Sequence, residues 1–129
     1  MLIKEDIIRM MKEVDLPLGE YWISSGAGLV LHGIKEKTND IDLGCTPKLF
    51  EILINKGYKF KTLLDKRRVI EVNESIEVIE NWFVDEVEIV NELSVATIES
   101  IRKQKFKLGR EKDFRDIKLI DDYLNEMQG

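Results

Sequence analysis

A chain of 129 residues, 43% apolar and 35% charged, can bury one core and is too apolar for a disordered segment. Its formal net charge of −5 argues against a polymeric nucleic acid as the main partner, because such binding needs Lys and Arg to neutralise many phosphates. One cysteine, Cys45, excludes an internal disulfide. With no apolar leader and no membrane-length apolar run, the expected location is cytoplasmic and no membrane partner is expected.

Residues 2–14 place Leu2, Ile3, Ile7, Met10, Met11 and Val14 at three- and four-residue steps, which predicts an amphipathic helix. "DLPLGE" ends it. "YWIS" (21–24) reads as a buried strand and "GAGLVLHG" (26–33) as a short apolar helix entered through Ser25 and Gly26. "NDIDLG" (39–44) is the next expected strand. Thr46 and Pro47 suit the cap and first position of a helix that Gly57 stops. "RRVIEVNESIEVIE" (67–80) reads as two strands around Asn73 and Glu74, and "VEIVN" (87–91) as one more. From Ser94 onward two charged amphipathic helices, meeting near Gly109, are expected to pack on the same core over about 94–127. The order predicts a single α/β (α+β) domain over 1–129, a small mixed β-sheet flanked by helices.

Strand residues alternate faces, so Asp40 and Asp42 share one side of "NDIDLG". Paired carboxylates repel each other, and a strand that carries them has either bulk water or a cation beside it. Both readings fit the pair alone. Upstream, the turn Ser24-Ser25-Gly26-Ala27 brings backbone N–H groups to a helix start with no bulky side chain, a geometry that can cradle phosphate. An ordinary N-cap serine reads the same way.

Taken in order, these features resemble the nucleotidyltransferase superfamily, the group of DNA polymerase beta and the small antibiotic nucleotidyltransferases of the lincosamide type. The matching residues are Ser24, Ser25 and Gly26, then Asp40-Ile41-Asp42-Leu43, with Leu29, Leu31, His32, Gly33, Ile34 and Thr38 in register between them. Towards the C-terminus, Lys105 precedes Arg110, Lys112, Asp113 and Asp116 in an R-x-K-D-x-x-D segment similar to that of the same group. One departure is Ser25, which stands where the family has glycine.

The resemblance implies a Mg²⁺- or Mn²⁺-dependent transfer of a nucleoside monophosphate from a nucleoside triphosphate, ATP foremost, to a hydroxyl of a small molecule or protein. Asp40, Asp42 and a third acid would be both catalytic and metal-binding. Ser24, Ser25, Gly26, Thr38, Lys105 and Arg110 would meet the nucleotide. The third acid follows a hairpin turn in this family, which selects Glu77 over Glu71 and Glu88. A solvated helix face is the expectation for Lys103, Lys107 and Lys112. Trp22 is expected in the core, and Cys45 as a buried bystander. His32 is expected to close a helix end, and Trp82 and Phe83 either join the core or line an acceptor pocket. A non-catalytic nucleotide-binding or antitoxin-like module of the same fold is the alternative, with a toxin-type protein as partner; a homodimer would instead supply the missing wall of an acceptor pocket and favour the enzyme.

Overall fold

The computed structural model describes residues 1–128. Seven strands form one mixed sheet in the order β3-β4-β5-β2-β1-β7-β6. They are β1 (Tyr21–Ser24), β2 (Ile41–Cys45), β3 (Phe60–Thr62), β4 (Arg68–Glu71), β5 (Ile76–Glu80), β6 (Val87–Val90) and β7 (Leu93–Ala96). Five helices surround them: α1 (Lys4–Val14), α2 (Ser25–Leu31), α3 (Pro47–Asn55), α4 (Ile98–Leu108) and α5 (Glu111–Gln128). The chain is α+β, as its pattern predicts. β1 pairs with β7, and β2 with β5, in parallel, and the remaining neighbours are antiparallel.

Alternation divides the sheet. Tyr21, Ile23, Ile41, Leu43, Cys45, Ile70, Ile76, Val78 and Val95 share one face and bury it against Ile7 and Met11 of α1 and Leu49, Phe50 and Leu53 of α3. The other face carries Trp22, Ser24, Asp42, Gly44, Glu77 and Ile79 by register. On its β7 side a second cluster, Leu29, Ala96, Ile101 and Ile120, fastens α4 and α5. α2 crosses the sheet end and contributes to both clusters.

Local chemistry sets the boundaries. Thr46 caps α3 by accepting from the Leu49 N–H at 3.2 Å, with Pro47 at the first helical position. Asn73 Oδ1 accepts from the N–H groups of Ser75 and Ile76, which turns β4 into β5.

Four expectations need correction. The first helix starts at Lys4, because Leu2 instead pairs its backbone with Thr38 and Asp6 accepts from the Ile3 N–H at 3.0 Å. β2 begins at Ile41, so Asp40 lies just ahead of the strand. Residues 94–97 are not helical: Leu93–Ala96 is the buried strand β7, and α4 begins only after Thr97, whose Oγ1 accepts from the Ser100 N–H. Strand β3 went unanticipated. It lies at the sheet edge with all three residues exposed, so no apolar alternation marks it.

Candidate functional site

The turn from β1 into α2 carries backbone strain at Ser25, whose φ of +53° lies in the left-handed region that disfavours non-glycine residues. A glycine would hold this conformation without penalty. The next residue must be small for another reason. A Cβ on Gly26 would stand 2.5 Å from Thr38 Oγ1, so Thr38 is packed directly against the turn. Ser24 ends β1, and its hydroxyl donates to Gln104 Oε1 on α4 at 2.8 Å.

Across the sheet, Ser24 lies opposite Asp42, Asp42 opposite Glu77, and Glu77 opposite Glu71. With adjacent strands about 4.8 Å apart, three acids follow one another on one face. Glu88 sits two strands beyond Ser24 on β6, where it lies 3.6 Å from His32 Nδ1. Asp42 is half-buried, and its pKa is pushed up to about 6, first by burial, then by Asp40 and by Glu77. Lys112 and Lys105 pull in the opposite direction.

Two cavities share Asp40 and Asp42 as a wall. The first, about 300 Å³, opens beside Ser25, Gly26 and Thr38 and is lined by five cations, Lys35, Lys105, Arg110, Lys112 and Arg115. Its third acid, Asp116, is tied down, 2.9 Å from Lys105 Nζ and 3.4 Å from Lys35 Nζ. The second, about 200 Å³, adds Glu71, Glu74 and Glu77 to the shared aspartates and carries no cation.

Lys105 is 3% exposed, held by Asp116 and, at 3.7 Å, by fully buried Asp113. Arg110 clasps the same Asp113 through Nε at 2.7 Å, which with the other Arg110 bonds holds that carboxyl below its ordinary range against the upward push of burial. Both cations are therefore fixed by α5 before any ligand arrives. Lys112 is exposed, as expected, and also lines the mouth of the first cavity. Lys103 does face outward and pairs with Asp85, and Lys107 lies 3.7 Å from the centre of the Phe83 ring. Lys35, Arg115 and Gln104 were not singled out from sequence. Nothing local marks them: Gln104 and Arg115 are aimed only when α4 and α5 dock, and Lys35, in the loop after α2, meets Asp116 only then.

The remaining expectations concern packing. His32 is the C-cap of α2, with Nε2 2.8 Å from the Ala96 carbonyl oxygen. Trp22 is buried. So is Cys45, whose thiol burial pushes up to about 12. Trp82 is buried with Val69 and Ile79, as the core reading expects, and it also lines a cavity with Phe83.

The acids suit a hard divalent cation. Oxygen ligands are what Mg²⁺ and Mn²⁺ prefer, and the mutual repulsion that raises Asp42 is what a cation would relieve. Among the described residues, no three carboxylate, imidazole or thiol groups already converge as a metal centre. No helix among them is long and apolar enough to cross a membrane.

No protein-family model matches the chain. No curated protein matches it either. Solved structures do. One is ANT(2″)-Ia in complex with adenylyl-2″-tobramycin, at 18% identity and a TM-score of 0.59, covering 96% of this chain and 88% of that one. Another is the lincosamide antibiotic adenylyltransferase LnuA with lincomycin bound, at 17% identity and a TM-score of 0.55, covering 89% of this chain and 92% of that one. The chain has the fold of these small antibiotic nucleotidyltransferases.

Proposed function

We propose that the chain is a Mg²⁺- or Mn²⁺-dependent nucleotidyltransferase. It moves a nucleoside monophosphate from a nucleoside triphosphate, ATP foremost, to a hydroxyl of a small molecule or protein. The observation that carries this reading is the position of Asp40 and Asp42, between a cation-lined cavity at the Ser25 turn and an acid-lined one. The fold shared with two adenylyltransferase-type structures supports it.

In this reading the outer phosphates lie against the Ser25–Gly26 turn, where backbone N–H groups and the Ser25 hydroxyl are the donors, while Ser24, whose hydroxyl is bonded to Gln104, anchors the turn to α4. Thr38 holds that turn in shape. Lys105 and Arg110 supply positive charge from positions already locked by Asp113 and Asp116, so little ordering remains when the nucleotide binds. Asp40, Asp42 and Glu77 would hold the metal, which supplies charge neutralisation at the phosphate oxygens. The acceptor oxygen forms a bond to the α-phosphorus while the bond to pyrophosphate breaks. Its proton passes to a carboxylate, for which Glu77 is placed opposite Asp42. Most of the acceleration then comes from positioning and charge.

A second reading keeps the nucleotide and drops the chemistry: a non-catalytic nucleotide-binding or antitoxin-like module, working with a toxin-type protein. The strained serine at the turn and the absence of a ready metal centre among the described residues favour it.

Thermal-shift titration with each nucleoside triphosphate, with and without Mg²⁺ or Mn²⁺, tests the shared part. At about a hundred times its dissociation constant a ligand adds roughly 2.7 kcal/mol. The expected result is a metal-dependent rise in Tm that Asp40→Asn/Asp42→Asn loses. No rise with any nucleotide in a folded protein defeats the transferase and nucleotide-binding readings and leaves the antitoxin-like, partner-binding module. Pyrophosphate release in the presence of acceptor separates the first from the second.

A further inference from the structure

The acid-lined cavity, about 200 Å³, is smaller than the usual small-molecule site of about 300–1,000 Å³. It also holds a hydroxyl of the chain itself. Ser75, in the turn between β4 and β5, lines it beside Asp40, Asp42 and Glu77. Its backbone is pinned from both sides. The Ser75 N–H donates to Asn73 Oδ1 at 2.8 Å, and the Ser75 carbonyl accepts from the Ile41 N–H at 2.7 Å. That second bond extends the parallel register of β2 and β5, in which Ile41 lies opposite Ile76 and Asp42 opposite Glu77. One step back along the same register sets Ser75 beside Asp40. Neighbouring strands are about 4.8 Å apart, and alternate residues about 7 Å apart along a strand. Asp40, Asp42, Glu77 and Ser75 therefore mark the corners of one small patch.

Other hydroxyls around the site are engaged. Ser24 donates to Gln104, and Thr38 is packed against Gly26. Ser94 accepts from the Gly19 N–H, and Thr97 donates to Ser100. Ser25 borders the cation-lined cavity instead. Ser75 is half-buried, and among the described residues no hydrogen bond holds its Oγ. A free serine hydroxyl next to a carboxylate that can take its proton is the arrangement of an activated nucleophile. Glu77, two residues further along, supplies that carboxylate on the same face.

We propose that Ser75 is a built-in acceptor: given a nucleoside triphosphate, a divalent cation and no external hydroxyl compound, the chain nucleotidylates its own Ser75. The Ser75 oxygen forms a bond to the α-phosphorus, and the bond from that phosphorus to pyrophosphate breaks. The hydroxyl proton passes to Glu77. The products are a phosphodiester on Ser75 and free pyrophosphate. Because the hydroxyl is fixed within the same molecule, it reacts at high effective concentration. The attached nucleoside monophosphate then occupies the acid-lined cavity, so the reaction stops after one event per chain and other acceptors are shut out. The inference rests on the transfer reading.

Protein is incubated with each nucleoside triphosphate and Mg²⁺ or Mn²⁺, without acceptor, and followed by intact-protein mass spectrometry. One nucleotidyl group per chain is expected, on the tryptic peptide 69–102, with fragmentation placing it on Ser75 and not on Ser94, Thr97 or Ser100. The fraction labelled per unit time should be independent of protein concentration. Ser75→Ala should lose the addition, and near-ultraviolet circular dichroism checks that it is folded. Glu77→Gln should slow labelling by about 10²–10⁴-fold. A label on another residue, a rate that rises with protein concentration, or undiminished labelling of Ser75→Ala overturns the inference. So does an unlabelled wild type whose Tm rises with nucleotide and metal and which releases pyrophosphate with an external acceptor; the transfer reading survives that result. No label, no Tm rise and no pyrophosphate release defeat the transfer reading and the inference with it.

Discussion

The two cavities on either side of Asp40 and Asp42 are built from different material. The acid-lined one belongs to the sheet: Asp42, Glu77 and Glu71 sit on three neighbouring strands, their spacing fixed by backbone register. The cation-lined one gains Lys105, Arg110, Lys112 and Arg115 from α4, α5 and the turn between them, and of these Lys105 and Arg110 are aimed by ion pairs with Asp113 and Asp116. Repulsion along the sheet row is therefore fixed by the backbone, whereas on the helical side Lys105 and Arg110 are held by ion pairs and the exposed Lys112 can adjust. A polyphosphate and a neutral hydroxyl compound would meet these two walls from opposite sides.

The largest expected effect separates the acids from one another. Glu77→Gln should lower turnover by about 10²–10⁴-fold while weakening, without abolishing, the metal-dependent nucleotide-induced Tm rise. Glu71→Gln, one strand further out and exposed, should cost less than tenfold. Equal losses in steady-state pyrophosphate release would break the distinction between them.

On the helical side, Lys105→Met removes a cation from a nearly closed site and leaves Asp113 and Asp116 under-compensated. Breaking such a pair costs about 3 kcal/mol, to be read from denaturant unfolding. Lys112→Gln is the contrast, since Lys112 is exposed. It should leave stability unchanged and weaken nucleotide binding severalfold. If both substitutions destabilise alike, the difference between a pre-locked and a free cation fails.

A third experiment follows the charge on Asp42. Its folded pKa, about 6, lies above the ordinary 3.8. The unfolded chain therefore ionises first as pH rises, and the native state loses stability between about pH 4 and 6, then levels off. The expected magnitude at neutral pH is on the order of 2 kcal/mol, allowing for partial solvent screening. Asp42→Asn should accordingly be more stable than wild type at pH 7.5 in the absence of metal, with the gap closing towards pH 4. Millimolar Mg²⁺ should narrow it at pH 7.5 by stabilising wild type alone. A gap independent of pH would remove the repulsion argument.

Ser25→Gly is the smallest expected change. Releasing a non-glycine residue from φ +53° should raise stability by about 0.5–1 kcal/mol. The departure from the family's glycine is thus a local strain, and activity should persist.

What sequence could reveal follows the same division. The Ser24–Gly26 turn, the Asp40/Asp42 pair and the Asn73 hairpin are local patterns, and their geometry is set within a few residues. β7 was read as helix because its four residues are all buried, with Ser94 bonded to the Gly19 N–H, so no alternation distinguishes it from an apolar helical turn. Lys112 reads as solvent-facing and is exposed, but that it also borders the first cavity depends on how α5 docks through Ile117 and Ile120. Asp40 was counted within a strand, although its own backbone lies outside.

The Ser24–Gln104 bond joins residues 80 positions apart. During synthesis the turn and the acid pair emerge early, but the chain that aims their donors and supplies most of the cations comes last. Closing so long a segment is entropically costly and tends to occur late in folding. Any chain halted before α4 therefore carries the carboxylate row without four of the five cations that line the first cavity.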